Sequence, residues 1–357
     1  MAADPPPPHH RARGFQNNYL EFEPPPLSAV LRWRREAARQ HLPKPPSTPI
    51  PQAAPALDFL HANAGGAAAQ VPAVTWIGHA TVLAQFGGLS LLTDPIFAER
   101  ASPVAFAGPK RHQPPGVALA ELPHIDLVLV SHNHYDHLDL AAARALAAQP
   151  GGSPLFAVPL GLADWFRRRG MPRVVELDWW QTHALAVPGR PAVELMLLPA
   201  QHWSGRGLQD RLLTLWGGFA VFAPDCHFFF AGDTGYSRDF ADIRERLAPR
   251  QTEALGGGFD IALLPIGAYA PRWFMTPQHV DVAQSMDIHR DLGAKRSLGV
   301  HWGTFQLTDE SLDEPPRVLA AERTARGVPE AAFFTLPIGG TQRLAPRSAD
   351  ARLLSNS

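Results

Sequence analysis

The sequence predicts a mixed α/β protein, with sheets of many short strands and helices covering their outer faces. Three observations lead there. From residue 71 onward, apolar runs of strand length alternate with turn signals. Helix-forming stretches lie among them at 140–149, 161–170, 237–248, 278–292 and 315–326. Runs such as "IDLVLVS" (125–131) are continuously apolar, as strands buried on both faces are.

Before residue 71 the texture differs. "DPPPP", "EPPP" and "PKPPSTPIPQAAP" crowd residues 1–70 with proline. Proline lacks an N–H donor, so this segment cannot be central sheet. It reads as an extended arm with one helix over 27–42, "LSAVLRWRREAARQHL". Leu27, Val30, Leu31, Ala38 and Leu42 approximate one face of that helix, with Arg32, Arg35 and Arg39 largely elsewhere. Either it packs on the main domain with a solvated Arg face, or it offers a basic amphipathic surface to anionic lipid. The main domain spans 71–345, and 346–357 form a C-terminal tail.

Within the main domain, "VTWIGHATVLAQF", "GG" and "LSLLTDPIF" form a hairpin. Strand 125–131 leads toward helix 140–149, with Asp139 at its N-cap and Pro150, Gly151 and Gly152 ending it. Further strands are "SPLFAVPL", "RVVELDW", "AVELMLLPA", "TLWGGFAVFA", "HFFFAGD", "IALLPIG", "RSLGVHW" and "AFFTLPIGG". "DCH" before one of them reads as a turn, with Cys226 a small hydrophobe rather than half of a metal pair.

Composition narrows the classes. The 357 residues are 45% hydrophobic and 18% charged, enough to bury a sizeable core. A net charge of −1 gives no electrostatic case for a nucleic-acid partner. One cysteine excludes an internal disulfide framework and allows a reducing compartment. "MAADPPPPHHRARG" has no apolar core behind its charges, unlike a secretory signal. The expected location is the cytoplasm, with peripheral contact at a membrane surface.

The chemistry concentrates in "LVSHNHYDHLDL", residues 129–140. His132, His134 and Asp136 alternate, so an extended backbone aims them one way, and His137 follows as the chain turns. Imidazole nitrogen and carboxylate oxygen are metal ligands, and four such groups in six residues can serve two ions. Three more apolar runs end the same way: "LMLLPAQHW" at His202, "HFFFAGDTG" at Asp233 and "SLGVHWGT" at His301. Singly, each has an ordinary reading as a hydrogen-bonded His or a turn Asp. Together with 132–137 they form a ligand set at strand C-terminal ends, where α/β proteins gather functional groups. His and Asp suit zinc, iron and manganese alike.

His-x-His-x-Asp-His followed by a later His, Asp and His resembles the metallo-β-lactamase superfamily. "TWIGHAT", "ELDWW", "QHWSGR", "LWGGFAV", "FFFAGDTGY", "LPIGAYAPRWFM", "QHVD" and "HWGTF" look like its N-acylphosphatidylethanolamine-hydrolysing phospholipase D branch. The resemblance runs from "RGFQNNY" near Arg13 to about residue 345. It implies an αβ/βα four-layer sandwich with two Zn2+ per chain at one edge. His132, His134 and His202 would hold one ion, Asp136, His137 and His301 the other, and Asp233 would bridge. Asp94, in "LTDP", would brace the ligand loop, and Tyr135 and His279 would contact substrate. The implied reaction is attack on phosphorus by a metal-bridged hydroxide, with Asp136, Asp233 and His279 catalytic. A phospholipid would give N-acylethanolamine and phosphatidic acid. A homodimer is a further implication. The same site could instead serve a lactone, a thioester or a soluble phosphodiester.

The chain departs from the branch at Leu212, where an Asn is usual, and at Val282, where Pro is. Neither is a ligand position, and the first puts lipid specificity in question. His79 either positions the ligand loop or is a buried core histidine. Arg206 and Arg211 read as solvated loop arginines or as phosphate contacts. His9, His10, His41, His61, His112, His124, His183 and His289 belong to no constellation visible in the sequence.

Overall fold

The computed structural model describes residues 6–67, 69–207 and 209–347. Most of the expected tail, 348–357, lies outside them.

The first sheet is built from β1 (Ala73–Gly78), β2 (Thr81–Phe86), β3 (Leu89–Thr93), β4 (Leu127–Leu129), β5 (Leu155–Pro159) and β6 (Val174–Leu177). The second takes β7 (Thr182–Leu185), β8 (Val193–Leu198), β9 (Gly218–Ala223), β10 (Cys226–Phe230), β11 (Ile261–Pro265), β12 (Ser297–Val300) and β13 (Phe333–Phe334). β14 (Thr341–Arg343) returns to pair antiparallel with β1. The strand orders are β14-β1-β2-β3-β4-β5-β6 and β13-β12-β11-β10-β9-β8-β7. Both sheets mix directions: β3 to β6 and β10 to β13 run parallel, and the hairpins antiparallel.

Side-chain alternation explains the layers. In β4 and the residue after it, Leu127 and Leu129 face the core between the sheets, and Val128 and Val130 face the helices outside. That outer layer packs α3 (Leu140–Ala147), α4 (Ala163–Arg167) and Leu60 of α2 (Leu57–Ala62) on the first sheet. α5 (Asp239–Leu247), α7 (Val282–Leu292) and α8 (Glu314–Arg326) bury Ile243, Ile288 and Leu319 against the second. Asp139 caps α3 through Ala141 and Ala142 N–H, as expected.

Several elements differ from the sequence reading. The arm holds two helices, α1 (Leu27–Gln40) and α2; α2 is too short to show a helical period. Helix 161–170 shrinks to α4, between Gly161 and Gly170, both with positive φ. Helix 278–292 begins only at Val282, because the Asp281 side chain accepts from Gln284 N–H and caps it there. A short helix, α6 (Arg272–Met275), precedes it. β7 and β14 were not anticipated, since short part-polar strands carry little pattern. Cys226 and His227 are the first residues of β10, paired with Ala223 and Phe222, so the turn is Pro224–Asp225.

The N-terminal arm lies along the domain. Gln52 bridges to Ile338, and Phe22, Ile50 and Leu60 are buried. α1 buries no residue and leaves Leu27 73% exposed, while its Trp33 donates to Asp309 and packs on Phe274. Among the described residues, no helix is long and apolar enough to cross a membrane.

Candidate metal centre

The ligating groups converge because the strands that carry them end at one edge. β4 ends just before 131–137, β8 before His202, β10 before Asp233, and β12 before His301. β3 ends just before Asp94 and the β1–β2 turn carries His79. His79, Asp94 and His301 all have positive φ, a conformation that non-glycine residues rarely hold without compensating contacts. Here the compensation is local: His79 N–H donates to Thr304 Oγ1, and its carbonyl accepts from His301 N–H and Trp76 Nε1.

Two donor groups result. In the first, His134 Nδ1 lies 2.8 Å from His132 Nε2 and 3.3 Å from His202 Nε2. In the second, His137 Nε2 lies 3.2 Å from His301 Nε2, and Asp136 Oδ2 lies 3.4 and 3.6 Å from those two atoms. Asp233 stands between them. Its Oδ2 is 3.7 Å from His202 Nε2 and 3.1 Å from His137 Nε2, and its Oδ1 is 3.2 Å from His301 Nε2. Donors about 2.0–2.1 Å from a tetrahedral ion stand about 3.3–3.4 Å apart, and apart from the contracted 2.8 Å His132–His134 pair these spacings lie close to that.

The electrostatics fit as well. Burial, helped by neighbouring histidines, holds His132 well below the usual imidazole range and His134 down at about 3. Burial likewise lowers His202 to about 4. All three are neutral near pH 7, the form that ligates. Burial opposes ionisation of Asp136 and Asp233, yet His137 and their other partners hold both well below the usual carboxylate range. Burial also disfavours a charged His137 and His301, but Asp233 and Asp136 outweigh it; His137 is raised strongly and His301 to about 9. The protons drawn there mark where the carboxylates call for positive charge. Asp233 Oδ1, though buried, makes no hydrogen bond, as a metal-facing oxygen would not. The residues fit a pair of divalent cations.

A second layer fixes these groups. Asp94 is fully buried and accepts from Ser131 N–H at 2.7 Å, Ser131 Oγ at 2.5 Å and His137 Nδ1 at 2.6 Å. His79 is buried, with Nε2 3.1 Å from Asp136 Oδ2, so both of its sequence readings apply. His202 Nδ1 bonds the Gln278 carbonyl at 2.9 Å. Arg206 is no solvated loop arginine: it donates to the carbonyls of Asn133 and Leu138, bracketing the ligand loop.

His279 lies at the centre, outside any helix. Its Nδ1 is buried without a hydrogen-bond partner, 4.0 Å from Asp233 Oδ2. Tyr135 stands beside the donors: its ring packs 3.8 Å under the Arg206 guanidinium and lines a cleft of about 340 Å³ with Trp165, Arg169 and Arg206. One neighbour escaped sequence reading. Asn17, from the arm, accepts through Oδ1 from His202 N–H at 3.0 Å and Trp216 Nε1 at 3.1 Å. Its only sequence signal was its place in "RGFQNNY".

Comparison with known proteins agrees with the geometry. The beta-lactamase superfamily domain matches residues 90–302. The chain is 40% identical over 273 residues, 74% of each chain, to N-acyl-phosphatidylethanolamine-hydrolyzing phospholipase D 1 of Caenorhabditis elegans. It is 38% identical over 247 residues to the mitochondrial N-acyl-phosphatidylethanolamine-hydrolyzing phospholipase D of Saccharomyces cerevisiae, covering 69% of this chain and 50% of the yeast protein. In fold it resembles an isothiocyanate hydrolase from Delia radicum gut bacteria (TM-score 0.59, 20% identity, 76% of this chain and 99% of that one). It also resembles Igni18, a metallo hydrolase of Ignicoccus hospitalis (TM-score 0.54, 19% identity, 76% and 98%). Fold and donor set define a metal-dependent hydrolase of the metallo-β-lactamase superfamily. Within that superfamily, the chain belongs to the N-acylphosphatidylethanolamine-hydrolysing phospholipase D family.

Proposed function

We propose that the chain is a dinuclear zinc phosphodiesterase. It hydrolyses N-acylphosphatidylethanolamine-type phospholipids to N-acylethanolamine and phosphatidic acid. The observation that carries the two-ion reading is Asp233, whose carboxylate stands between the donor groups, with Oδ2 3.7 Å from His202 of the first and 3.1 Å from His137 of the second. The substrate rests on the relatives from worm and yeast, which are named for that lipid.

Bound divalent ions would supply an acidified water and positive charge for the phosphoryl oxygens. The chain does the rest. Asp233 fixes the spacing of the two donor groups, and Asp136, steadied by His79, completes the second. Burial holds His279 well below the ordinary imidazole range, so it is neutral and can donate a hydrogen bond to the departing oxygen. Tyr135, held by Arg206, would line the approach of the lipid head group. Exposed Leu27 and Leu31 of α1, with Trp273 beside them under Arg32, would meet the membrane surface.

The test is product release from detergent-dispersed N-acylphosphatidylethanolamine by metal-loaded protein, with Asp233→Asn and His279→Ala alongside. Asp233→Asn should abolish turnover with the fold nearly intact. His279→Ala should lower kcat with metal content unchanged. Wild-type activity in folded, metal-loaded Asp233→Asn would overturn the bridging role. Rapid cleavage of a soluble phosphodiester with the lipid untouched would overturn the substrate.

A further inference from the structure

A second histidine–carboxylate cluster lies in the described residues, away from the donors above. His9 Nε2 is 2.6 Å from Asp178 Oδ1, and His10 Nε2 is 2.8 Å from Asp178 Oδ2. His9 and Asp178 are buried, and the His9 ring packs 4.3 Å from that of Trp179. The His10 side chain keeps 27% exposure, so the cluster is open to solvent on one side.

The convergence is built. Consecutive side chains of an extended strand point opposite ways. Here His10 N–H turns back onto the Pro7 carbonyl, and a tight hairpin closes through Arg11 N–H to Gly14 and Gln16 N–H to His9. Gly14 sits at φ +84, where an added Cβ would meet the Leu212 carbonyl at 2.2 Å. The hairpin thus aims two adjacent imidazoles at one carboxylate. Asp178 is itself fixed, since its Oδ1 accepts from Trp179 N–H and its own N–H donates to Gln181.

Two imidazoles and a carboxylate make up a three-ligand site for a first-row divalent ion, with remaining positions for water. We propose that His9, His10 and Asp178 bind such an ion, zinc being the natural candidate, and that it clasps the N-terminal arm to the domain. The ligating atoms need to open by about 0.5–0.8 Å to reach the spacing a tetrahedral ion imposes. The contracted first group, with His132 and His134 nitrogens at 2.8 Å, needs a similar adjustment. The clasp also has a place in the architecture. Eight residues beyond His9 the same arm delivers Asn17 to the backbone of His202. An ion at the clasp therefore steadies a neighbour of the catalytic centre without belonging to it.

The experiment is metal analysis of the full-length protein after zinc loading and desalting, comparing wild type with His10→Ala. Zinc-edge anomalous diffraction on unmutated crystals accompanies it. The variant should hold one ion per chain fewer than wild type, and an anomalous peak should stand among His9, His10 and Asp178. The comparison reads a difference of one ion, so it is independent of how many ions the main centre holds. Equal metal content in both proteins, or an anomalous map empty at the cluster, would reduce it to a hydrogen-bonded clasp. If His10→Ala fails to fold, the diffraction measurement on wild type still decides.

Discussion

Replacing Asp94 by Asn isolates the electrostatic part of the metal centre. The two side chains are isosteric, and Asn tolerates the positive φ at this position, so the backbone has no reason to move. Asn Oδ1 can still accept from Ser131 N–H, and Ser131 Oγ can turn from donor to acceptor. The contact that cannot be remade is the one to His137. An amide N–H now faces His137 Nδ1, so the ring must carry its proton on Nε2 instead. Nε2 is the atom 3.2 Å from His301 Nε2 and 3.1 Å from Asp233 Oδ2. With a proton there it has no lone pair for an ion. Losing such a supporting contact weakens metal binding about 10–100-fold, or about 1.4–2.7 kcal/mol. Asp94 is fully buried, so solvent does not dilute the effect. Zinc affinity, measured by competition with a chromophoric chelator, should fall by that factor. Thermal unfolding of the metal-free proteins should differ little. A folded Asp94→Asn protein that binds zinc within twofold of wild type would refute the reasoning.

Two other outcomes follow from contacts elsewhere in the fold. Asn17→Ala removes the acceptor of both His202 N–H and Trp216 Nε1, so turnover and zinc affinity should fall about tenfold, while Asn17→Asp, which keeps the acceptor, should recover much of both. Burial lowers His227 to about 3, below its unfolded value, so the unfolded chain binds the proton first as pH falls. Its contribution is complete above about pH 6.5 and is lost as pH falls toward 3. His227→Gln should therefore flatten the stability–pH curve across that window in denaturant titrations, and an unchanged slope would rule the residue out.

Sequence and tertiary structure divided the work in a physically intelligible way. His132, His134, Asp136, His137, His202, Asp233 and His301 were legible because each follows an apolar run of strand length. A buried parallel strand must end at a sheet edge, so a polar group placed just after it is delivered there by local geometry alone. The alternation of Leu127 and Leu129 against Val128 and Val130 settles the faces of β4 in the same local way. What the chain could not show are contacts between distant segments. His9 meets Asp178 across 169 residues, and Asn17 meets His202 across 185. No period or spacing encodes such a pair; it exists only once the N-terminal arm packs back on the domain. The start of α7 differs for a local reason: the apolar pattern runs back to 278, but the Asp281 N-cap starts the helix only at Val282 and leaves His279 free to face Asp233. Local pattern fixed the donors and their strands, while packing decided which arm, cap and carboxylate hold them in place.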